Sequence, residues 1–325
     1  MRAFVTGGSG FLGRRLIREL VVRGYYVRAL ARSAQARQDV AAAGAEPAEG
    51  DLDDQAALAR AMEGMPLVIH AAALAKEWAP LEDFERVNVR GTENLLAAAR
   101  QTGVKRIVHV STEAVLLDGR PLVRVDEREQ ASPDAYPGYP RTKAISELAV
   151  LAANGPSLET VVVRPRFIWG EGDTTLLPAI SAKVRAGKFA WIAGGRSLSS
   201  TCHVVNCCEG TILAAEKGTP GEVYFLTDGE PVEFRAFLTE MLGAAGVKPG
   251  DASVPFWLAR AFAWTVDGIW RAFGLSSEPP VTRVAVSLLG REVTVVDDKA
   301  RRELGYRAEI DRATGMRRLA ESLGR

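Results

Sequence analysis

Tyr139 and Lys143 are the residues whose types and spacing best fit proton-transfer chemistry. They lie at positions i and i+4 of a segment with a helical pattern, so both side chains share one helix face. A phenol that exchanges protons near neutral pH needs its pKa lowered from about 10 toward 7. An ammonium about 4 Å away, at an effective dielectric of about 20, supplies an effect of that size. The pair therefore predicts a tyrosine general acid or base assisted by a lysine.

Two hydroxyl residues, Ser111 and Thr112, end the fifth apolar run of the chain. The carboxyl ends of parallel strands face the ligand cleft in α/β sheets. Thr112 is the first candidate, and Ser111 the second, for the donor that holds a substrate oxygen beside Tyr139. The alternative is that both hydroxyls only cap a strand end.

A glycine-rich turn joins the first apolar run to the first helical segment. Such glycines let the backbone approach a pyrophosphate, and the helix N-terminus offers N–H groups to the anion. A nicotinamide dinucleotide bound there would exchange a hydride while Tyr139 exchanges a proton. Two overlapping dinucleotide patterns are present, at Gly8, Gly10 and Gly13 and at Gly7, Gly10 and Gly13. The residues predicted to hold the pyrophosphate are Gly7, Gly10, Phe11, Leu12 and Gly13.

The end of the second apolar run bears on the choice of cofactor. NAD-binding domains of this kind usually carry a carboxylate there for the ribose 2′-hydroxyl. This chain has Ala31 at that position, followed by Arg32 and Ser33. An arginine can pair bidentately with a 2′-phosphate, so NADP(H) is favoured and NAD(H) stays open. The alternative for Arg32 is a solvated surface charge.

Two further segments are predicted to contact the cofactor. Asp51 and Leu52 would flank the adenine, and Ala71, Ala72 and Ala73 would run under the dinucleotide. The histidines of the neighbouring strands, His70 and His109, are interpreted as packed side chains and not as catalytic groups.

Residues 1–165 alternate between short apolar runs and helical patterns. This rhythm predicts an α/β fold of the Rossmann type, with a doubly wound parallel sheet. The apolar runs are Arg2–Thr6, Tyr25–Leu30, Leu67–His70, Arg106–Ser111 and Thr160–Arg164. The helical patterns begin at Gly10 or cover Gln35–Ala43, Asp53–Met62, Leu81–Gln101 and Pro140–Ala153.

After Arg164, glycine and proline become frequent and the elements become shorter. We expect a cofactor-binding domain over residues 1–165, with segments near 200–228 returning to it, and a smaller, mainly substrate-binding lobe over residues 166–325. Val254–Leu275 is rich in aromatic residues and predicts an amphipathic helix. Three roles stay open for this helix: a wall of the lobe's pocket, a lid over a lipophilic substrate, or a peripheral membrane contact.

Composition excludes several partners and locations. The chain has 41 basic and 40 acidic residues, a formal net charge of +1, which gives no case for a nucleic-acid partner. No run of about 18 uncharged apolar residues is present, so no membrane-spanning helix is expected. Cys202, Cys207 and Cys208, even with His203 beside them, fit neither a disulfide framework nor a zinc site. We therefore expect no metal and a cytoplasmic location.

The ordered motifs resemble the extended short-chain dehydrogenase/reductase superfamily. Within it the chain is most similar to the 3β-hydroxysteroid dehydrogenase-like branch and to 2-alkyl-3-oxoalkanoate reductases. The motifs that carry the resemblance are Thr6–Gly13, Gly50–Leu52, His70–Ala73, Asn88–Thr92, Ser111–Thr112, Tyr139 with Lys143, Arg164–Pro165 and Trp169–Gly170.

The resemblance implies roles for individual residues. Thr112, Tyr139 and Lys143 would form the catalytic triad, and Lys143 would also bind the nicotinamide ribose. Asn88 would support the lysine through its backbone and a water molecule, and Phe167, after Pro165, would border the nicotinamide. The family also implies a homodimer formed by the helices of Leu81–Gln101 and Pro140–Ala153.

Three classes of function remain open at this point. The first is a reductase or dehydrogenase of a secondary alcohol or ketone on a lipophilic substrate. The second is a nucleotide-sugar epimerase or dehydratase, and the third is a nonenzymatic NADP sensor. Ala31 replaces the acid that epimerases usually carry, and Ala114 interrupts the acidic pair of dehydratases. Because sensors often lose the tyrosine that stands here at position 139, the first class is favoured.

Overall fold

The computed structural model describes residues 1–275 and 277–324. Its strands, in chain order, are β1 (Arg2–Thr6), β2 (Tyr26–Ala31), β3 (Glu46–Glu49), β4 (Leu67–His70), β5 (Arg106–Val110), β6 (Leu122–Val125), β7 (Glu159–Pro165), β8 (Ile168–Trp169), β9 (Trp191–Ile192), β10 (Leu198–Ser199), β11 (Cys202–His203), β12 (Val223–Leu226), β13 (Val232–Glu233), β14 (Ser253–Val254) and β15 (Val293–Val295). Its helices are α1 (Phe11–Val22), α2 (Ala34–Ala42), α3 (Gln55–Met62), α4 (Leu81–Phe84), α5 (Gly91–Thr102), α6 (Tyr139–Ala152), α7 (Leu176–Arg185), α8 (Val204–Lys217), α9 (Phe234–Ala244), α10 (Phe256–Ala272), α11 (Arg283–Gly290), α12 (Asp298–Leu304) and α13 (Arg312–Ser322).

Seven parallel strands form the main sheet, in the order β12-β7-β5-β4-β1-β2-β3. The order reverses direction between β1 and β4, which creates the crevice where such sheets bind ligands. The predicted α/β fold of the Rossmann type is confirmed.

Helices cover both faces of this sheet, as its near-continuous apolar strands require. On one face, Leu16 of α1, Val40 of α2 and Ile212 of α8 pack against the strands. On the other face, Leu95 of α5 and Val150 of α6 do the same. The sheet is therefore a rigid support for the loops at its carboxyl edge.

The segment predicted as one helix over Leu81–Gln101 is divided in the structure. A π-helical turn, Glu85–Arg90, lies between α4 and α5 and contains the buried Asn88. The side-chain oxygen of Asn88 accepts a hydrogen bond from the backbone N–H of Leu74, outside the helix, at 2.7 Å. Such π-turns are typical of functional positions.

A second, four-stranded sheet, in the order β13-β10-β15-β6, belongs to the lobe. A core around Trp169, Trp191 and Phe237 lies in the same part of the chain. The chain crosses between the lobe and the main sheet more than once: β6 comes from before residue 165, while β12 pairs with β7 in the main sheet.

The aromatic-rich segment forms α10, whose orientation the sequence left open. Its acid, Asp267, is buried and pairs with Arg271 and Arg283, each at 3.0 Å. In α10, which the structure describes completely, the exposed positions carry one charge, Arg260. The exposed large apolar residues are Trp257, Leu258, Phe262, Trp264 and Ile269, followed after the helix by Phe273 and Leu275. Within the described residues, no helix has the length and apolar character needed to cross a bilayer.

Candidate active site

The glycine turn between β1 and α1 has the shape of a phosphate cradle. Gly7 has φ +72°, and a Cβ there would lie 2.7 Å from the backbone of Ala71 and Ala72. A Cβ at Gly13 would overlap the Gly7 carbonyl. A Cβ at the exposed Gly10 would meet only the Gly7 oxygen, at 3.3 Å, so it would fill the open side of the turn.

The first turn of α1 leaves its backbone N–H groups available. Within this fully described helix, Gly10 provides no side-chain cap and the first turn has no acidic residue. Both properties suit an anionic ligand at a helix N-terminus. Gly7, Gly10, Phe11, Leu12 and Gly13 therefore fit the pyrophosphate of a dinucleotide.

The adenine side of the predicted site is exposed and charged. The Arg32 guanidinium, with 72% of its side chain exposed, lies 3.9 Å from a carboxylate oxygen of Asp51. Ser33 caps α2 by accepting from the Ala36 N–H at 3.1 Å. Leu52 is buried and faces Gly91.

The loop after β4 is held beside the glycine turn by hydrogen bonds. The Ala71 N–H donates to the Thr6 carbonyl at 3.3 Å, and the Ala72 N–H donates to the Thr6 hydroxyl at 3.2 Å. Ala71, Ala72 and Ala73 are half-buried, so their backbone forms a floor next to Gly7. This is where a dinucleotide would pass.

Tyr139 opens α6, where Gly138 turns the chain with φ +93°. Burial and the nearby Glu113 carboxylate raise the pKa of Tyr139 above its ordinary value of 10, while the Thr112 hydroxyl partly offsets the rise. This is the opposite of the lowered pKa that its spacing from Lys143 predicts. The phenol is therefore protonated at neutral pH.

Lys143 points to the end of β5. Its Nζ donates to the Val110 carbonyl at 2.8 Å and lies 3.0 Å from His109 Nε2. The side chain is buried, which lowers the pKa of its amine to about 7, against an opposing effect of the Glu147 carboxylate. Because Nζ bonds to the strand end, the amine stabilises a tyrosinate less than the spacing suggested.

The two candidate hydroxyls have different surroundings. Thr112 donates to Glu113 Oε2 at 2.9 Å and accepts from the Ala114 N–H at 3.2 Å. Ser111 donates at 2.5 Å to Glu147, which forms a fully buried ion pair with Arg164. Ser111 is thus held by a structural network, and Thr112 is the hydroxyl beside Tyr139.

A second buried ion pair was not predicted from the sequence. Arg166 Nη1 lies 2.8 Å from Glu113 Oε1, and Arg166 Nη2 donates to Ser199 at 3.2 Å. The next residue, Phe167, is a bulky side chain at φ +49°, a strained conformation that occurs mostly at functional sites. Its ring stacks edge-on against Phe237 in the lobe core. The available signal was that both charged residues adjoin motif positions.

The three cysteines lie in the apolar core of the main sheet. Burial raises the pKa of the Cys202 and Cys208 thiols. His203 packs edge-on against Trp169, and its imidazole lies 3.1 Å from the Glu171 carboxylate.

A doubly wound sheet with a glycine turn and a tyrosine–lysine pair at its carboxyl edge defines an extended short-chain dehydrogenase/reductase, an NAD(P)-dependent oxidoreductase. The sequence profile of the 3-beta hydroxysteroid dehydrogenase/isomerase family matches residues 4–256, and the chain belongs to this family.

Individual relatives cover nearly the whole chain. A 4-hydroxy-2-methyl-3-oxo-4-farnesyl-3,4-dihydroquinoline-1-oxide ketoreductase of Stigmatella aurantiaca is 53% identical over 99% of this chain and 96% of its own length. A 2-alkyl-3-oxoalkanoate reductase of Stenotrophomonas maltophilia is 35% identical over 99% of both chains.

Solved structures agree on the fold. The crystal structure of gox2253 has a TM-score of 0.78 at 30% identity and covers 98% of each chain. A variant of a dTDP-glucose 4,6-dehydratase from Streptomyces venezuelae, crystallised with NAD, has a TM-score of 0.76 at 24% identity over 99% of this chain and 96% of its own. At 24% identity this likeness to a nucleotide-sugar enzyme shows the shared fold and says nothing about the reaction of the present chain.

Proposed function

We propose that this protein reduces a ketone of a lipophilic small molecule with NADPH. The observation that carries the proposal is the position of Tyr139 beside the Thr112 hydroxyl at the carboxyl edge of the sheet. The 3-oxo groups in the names of the relatives from Stigmatella and Stenotrophomonas support this substrate class.

Thr112, Tyr139 and Lys143 have different roles in this reduction. Thr112 turns its hydroxyl from Glu113 toward the carbonyl oxygen and polarises it, and Tyr139 donates the proton that this oxygen takes up. A bound nicotinamide supplies the hydride. The charged form of Lys143 then stabilises the tyrosinate that remains, since an ammonium favours a nearby anion. The neutral phenol is the form of Tyr139 that can donate this proton, so the acid is present before the reaction.

The preference for NADPH rests on Arg32. Its exposed guanidinium, the absence of a carboxylate at Ala31 and the 3.9 Å gap to Asp51 leave it able to pair with a 2′-phosphate. Phe167, Pro165 and Ala73 would border the rest of the cofactor.

We also propose that α10 contacts an anionic lipid surface. Its outward face is apolar and aromatic, and arginines border it: Arg260 and Arg271 on α10, and Arg283, whose guanidinium lies 3.8 Å over the Trp264 ring. An apolar face with basic residues at its edge is typical of helices that lie in a membrane interface. Such a contact would bring the enzyme to a lipophilic substrate.

We propose a homodimer through α5 and α6, whose outward residues include Leu148, 36% exposed. The buried thiols suit the reducing cytoplasm.

The decisive experiment is Tyr139→Phe, which keeps the ring and removes the acid. We expect kcat for reduction to fall by about 10²- to 10⁴-fold, with NADPH affinity changed by less than about twofold. A substrate for this assay is found by measuring NADPH oxidation in the presence of 2-alkyl-3-oxoalkanoates, 3-ketosteroids and a nucleotide sugar. An unchanged kcat in the variant would refute the role of Tyr139. Turnover of the nucleotide sugar alone, without net NADPH consumption, would favour an epimerase or dehydratase.

A further inference from the structure

A row of buried polar side chains crosses the main sheet near its carboxyl edge. Thr6 of β1, His70 of β4 and His109 of β5 are registered partners, so they project from the same face of the sheet. All three are buried. The rings of His70 and His109 lie 5.1 Å apart, and Lys143 contacts the outer end of the row.

Hydrogen bonds fix the tautomer of His70. The Thr92 hydroxyl donates to the Asn88 carbonyl at 2.7 Å, so it can only accept from His70 Nε2, 3.0 Å away. His70 Nδ1 then accepts from the Thr6 hydroxyl at 2.7 Å. His70 is thus fully used as a neutral imidazole, and burial lowers its pKa to about 3. It has no hydrogen atom or lone pair left for Lys143.

His109 has the free capacity that His70 lacks. Its Nε2 lies 3.0 Å from Lys143 Nζ, while its buried Nδ1 has no partner among the described residues. A neutral imidazole with protonated Nδ1 accepts at Nε2 from an ammonium. The other tautomer donates from Nε2 to a neutral amine.

We propose that His109 is a positioning residue that holds the Lys143 amine at the end of β5 in both of its charge states. The inference rests on the proposed ketone reduction for its kinetic consequence only. When the pair loses a proton, one proton passes from Nζ to Nε2 and the proton on Nδ1 is released to solvent. The hydrogen bond between the two side chains remains, and the net change is one proton.

The other groups near the amine do not replace His109. Glu147, on the next turn of α6, is neutralised by Arg164 of β7, and His70 of β4 is committed to Thr6 and Thr92. Tyr139, on the preceding turn, is held as a neutral phenol by burial. His109 is therefore the titratable side chain that directly bonds the amine. The amine also donates to the backbone carbonyl of Val110.

The kinetic test compares His109→Met, which removes the acceptor, with His109→Gln, whose amide oxygen can accept from the ammonium. In reduction the ammonium is the active form. His109→Met loses a charge-assisted bond to the ammonium and a weaker bond to the neutral amine. The ammonium is therefore disfavoured, and we expect the alkaline limb of kcat/KM in His109→Met to move about one pH unit lower. His109→Gln should restore the wild-type pH profile. NADPH affinity and Tm of both variants check that the fold is retained.

A second measurement does not depend on any substrate. The chain has three histidines, so each imidazole can be assigned by single substitution in ¹⁵N-histidine-labelled protein. Long-range ¹H–¹⁵N NMR should show His109 changing from the Nδ1–H to the Nε2–H tautomer between pH 6 and pH 8 in wild type, and keeping one tautomer in Lys143→Met.

The outcomes separate the two proposals. A wild-type protein that reduces no ketone but shows the tautomer change would end the proposed function and support the role of His109. Superimposable pH profiles of His109→Met and wild type, or a His109 spectrum unaffected by Lys143→Met, would overturn the role of His109 while Tyr139→Phe still tests the reduction.

Discussion

The two buried ion pairs near Tyr139 restrain different hydroxyls. Glu147 with Arg164 holds Ser111, while Glu113 with Arg166 holds Thr112. Removing one partner of a buried pair leaves an uncompensated charge and costs about 3–5 kcal/mol. These charges are therefore structural supports, and the proposed chemistry depends on Thr112, Tyr139 and Lys143.

Arg32 provides the prediction about the cofactor. Arg32→Ala should weaken NADPH binding by about 10- to 100-fold, since a hydrogen bond between charged groups is lost. NADH binding should change by less than about twofold. Fluorescence titration gives both Kd values, with Arg100→Ala, an exposed cation on α5, as the control. Equal losses for the two cofactors would remove the argument for a 2′-phosphate contact.

At the scale of elements, the register of β1, β4 and β5 brings two buried imidazoles side by side. Burial lowers the pKa of His70 to about 3 and that of His109 well below 6.5. Between these values and about 6.5, the unfolded chain binds protons that the folded chain does not. The contribution of the two neutral imidazoles to the free energy of unfolding is therefore present at neutral pH and is lost as the pH falls.

We expect the free energy of unfolding to decrease between pH 7.5 and 5.5 by about 1.4 kcal/mol for each imidazole. Lys143, whose pKa is lowered to about 7, adds a change in the same direction. Urea denaturation at the two pH values measures the difference, and His109→Gln should make it smaller. Equal stability at both values would show that the imidazoles are solvated.

Much of this architecture could be read from the residues, because buried parallel strands are short apolar runs. Leu67–His70 is an example, and its strand has the same bounds as the run. The edge strand β3, with the sequence EPAE, has no such run, and its proline is tolerated only at an edge. The π-turn at Asn88 was unpredictable, since it depends on a hydrogen bond to Leu74 that only the tertiary structure supplies.

The site followed the same rule. Tyr139 and Lys143 were chosen as candidates by their helical spacing, because helix geometry relates residues that are near in sequence, and Thr112 was chosen because it ends the fifth apolar run. The contact between Lys143 and His109, and the pair of Glu113 with Arg166, join residues that are far apart in the chain. Their pairing depends on strand order. The orientation of α10 was left open for a related reason: a helical pattern gives the arc of each residue type and not the side that meets the protein.

At the scale of the whole molecule, α10 gives a prediction about membranes. The variant Trp257→Ser/Phe262→Ser should reduce binding to vesicles containing phosphatidylglycerol by at least about tenfold, since two exposed aromatic side chains are lost. Wild type should bind phosphatidylcholine vesicles more weakly. Sedimentation with vesicles measures both.

The matched control is Val22→Ser/Val123→Ser, which removes exposed apolar side chains elsewhere. Equal vesicle binding by the two double variants would exclude a lipid contact through α10. A concentration-dependent dimer that disappears only in the α10 variant would assign the face to a second copy of the chain instead.

The strands exchanged between the two halves limit how the enzyme can open. Strand β6 completes the lobe's sheet, and β12 extends the main sheet. A rigid-body rotation of one half against the other would therefore break backbone hydrogen bonds in both sheets. Access for a bulky guest must come from local displacement of peripheral pieces. The Trp78 indole, in the loop after β4, donates to the Leu275 carbonyl at 3.3 Å and so holds the end of the α10 segment to this loop.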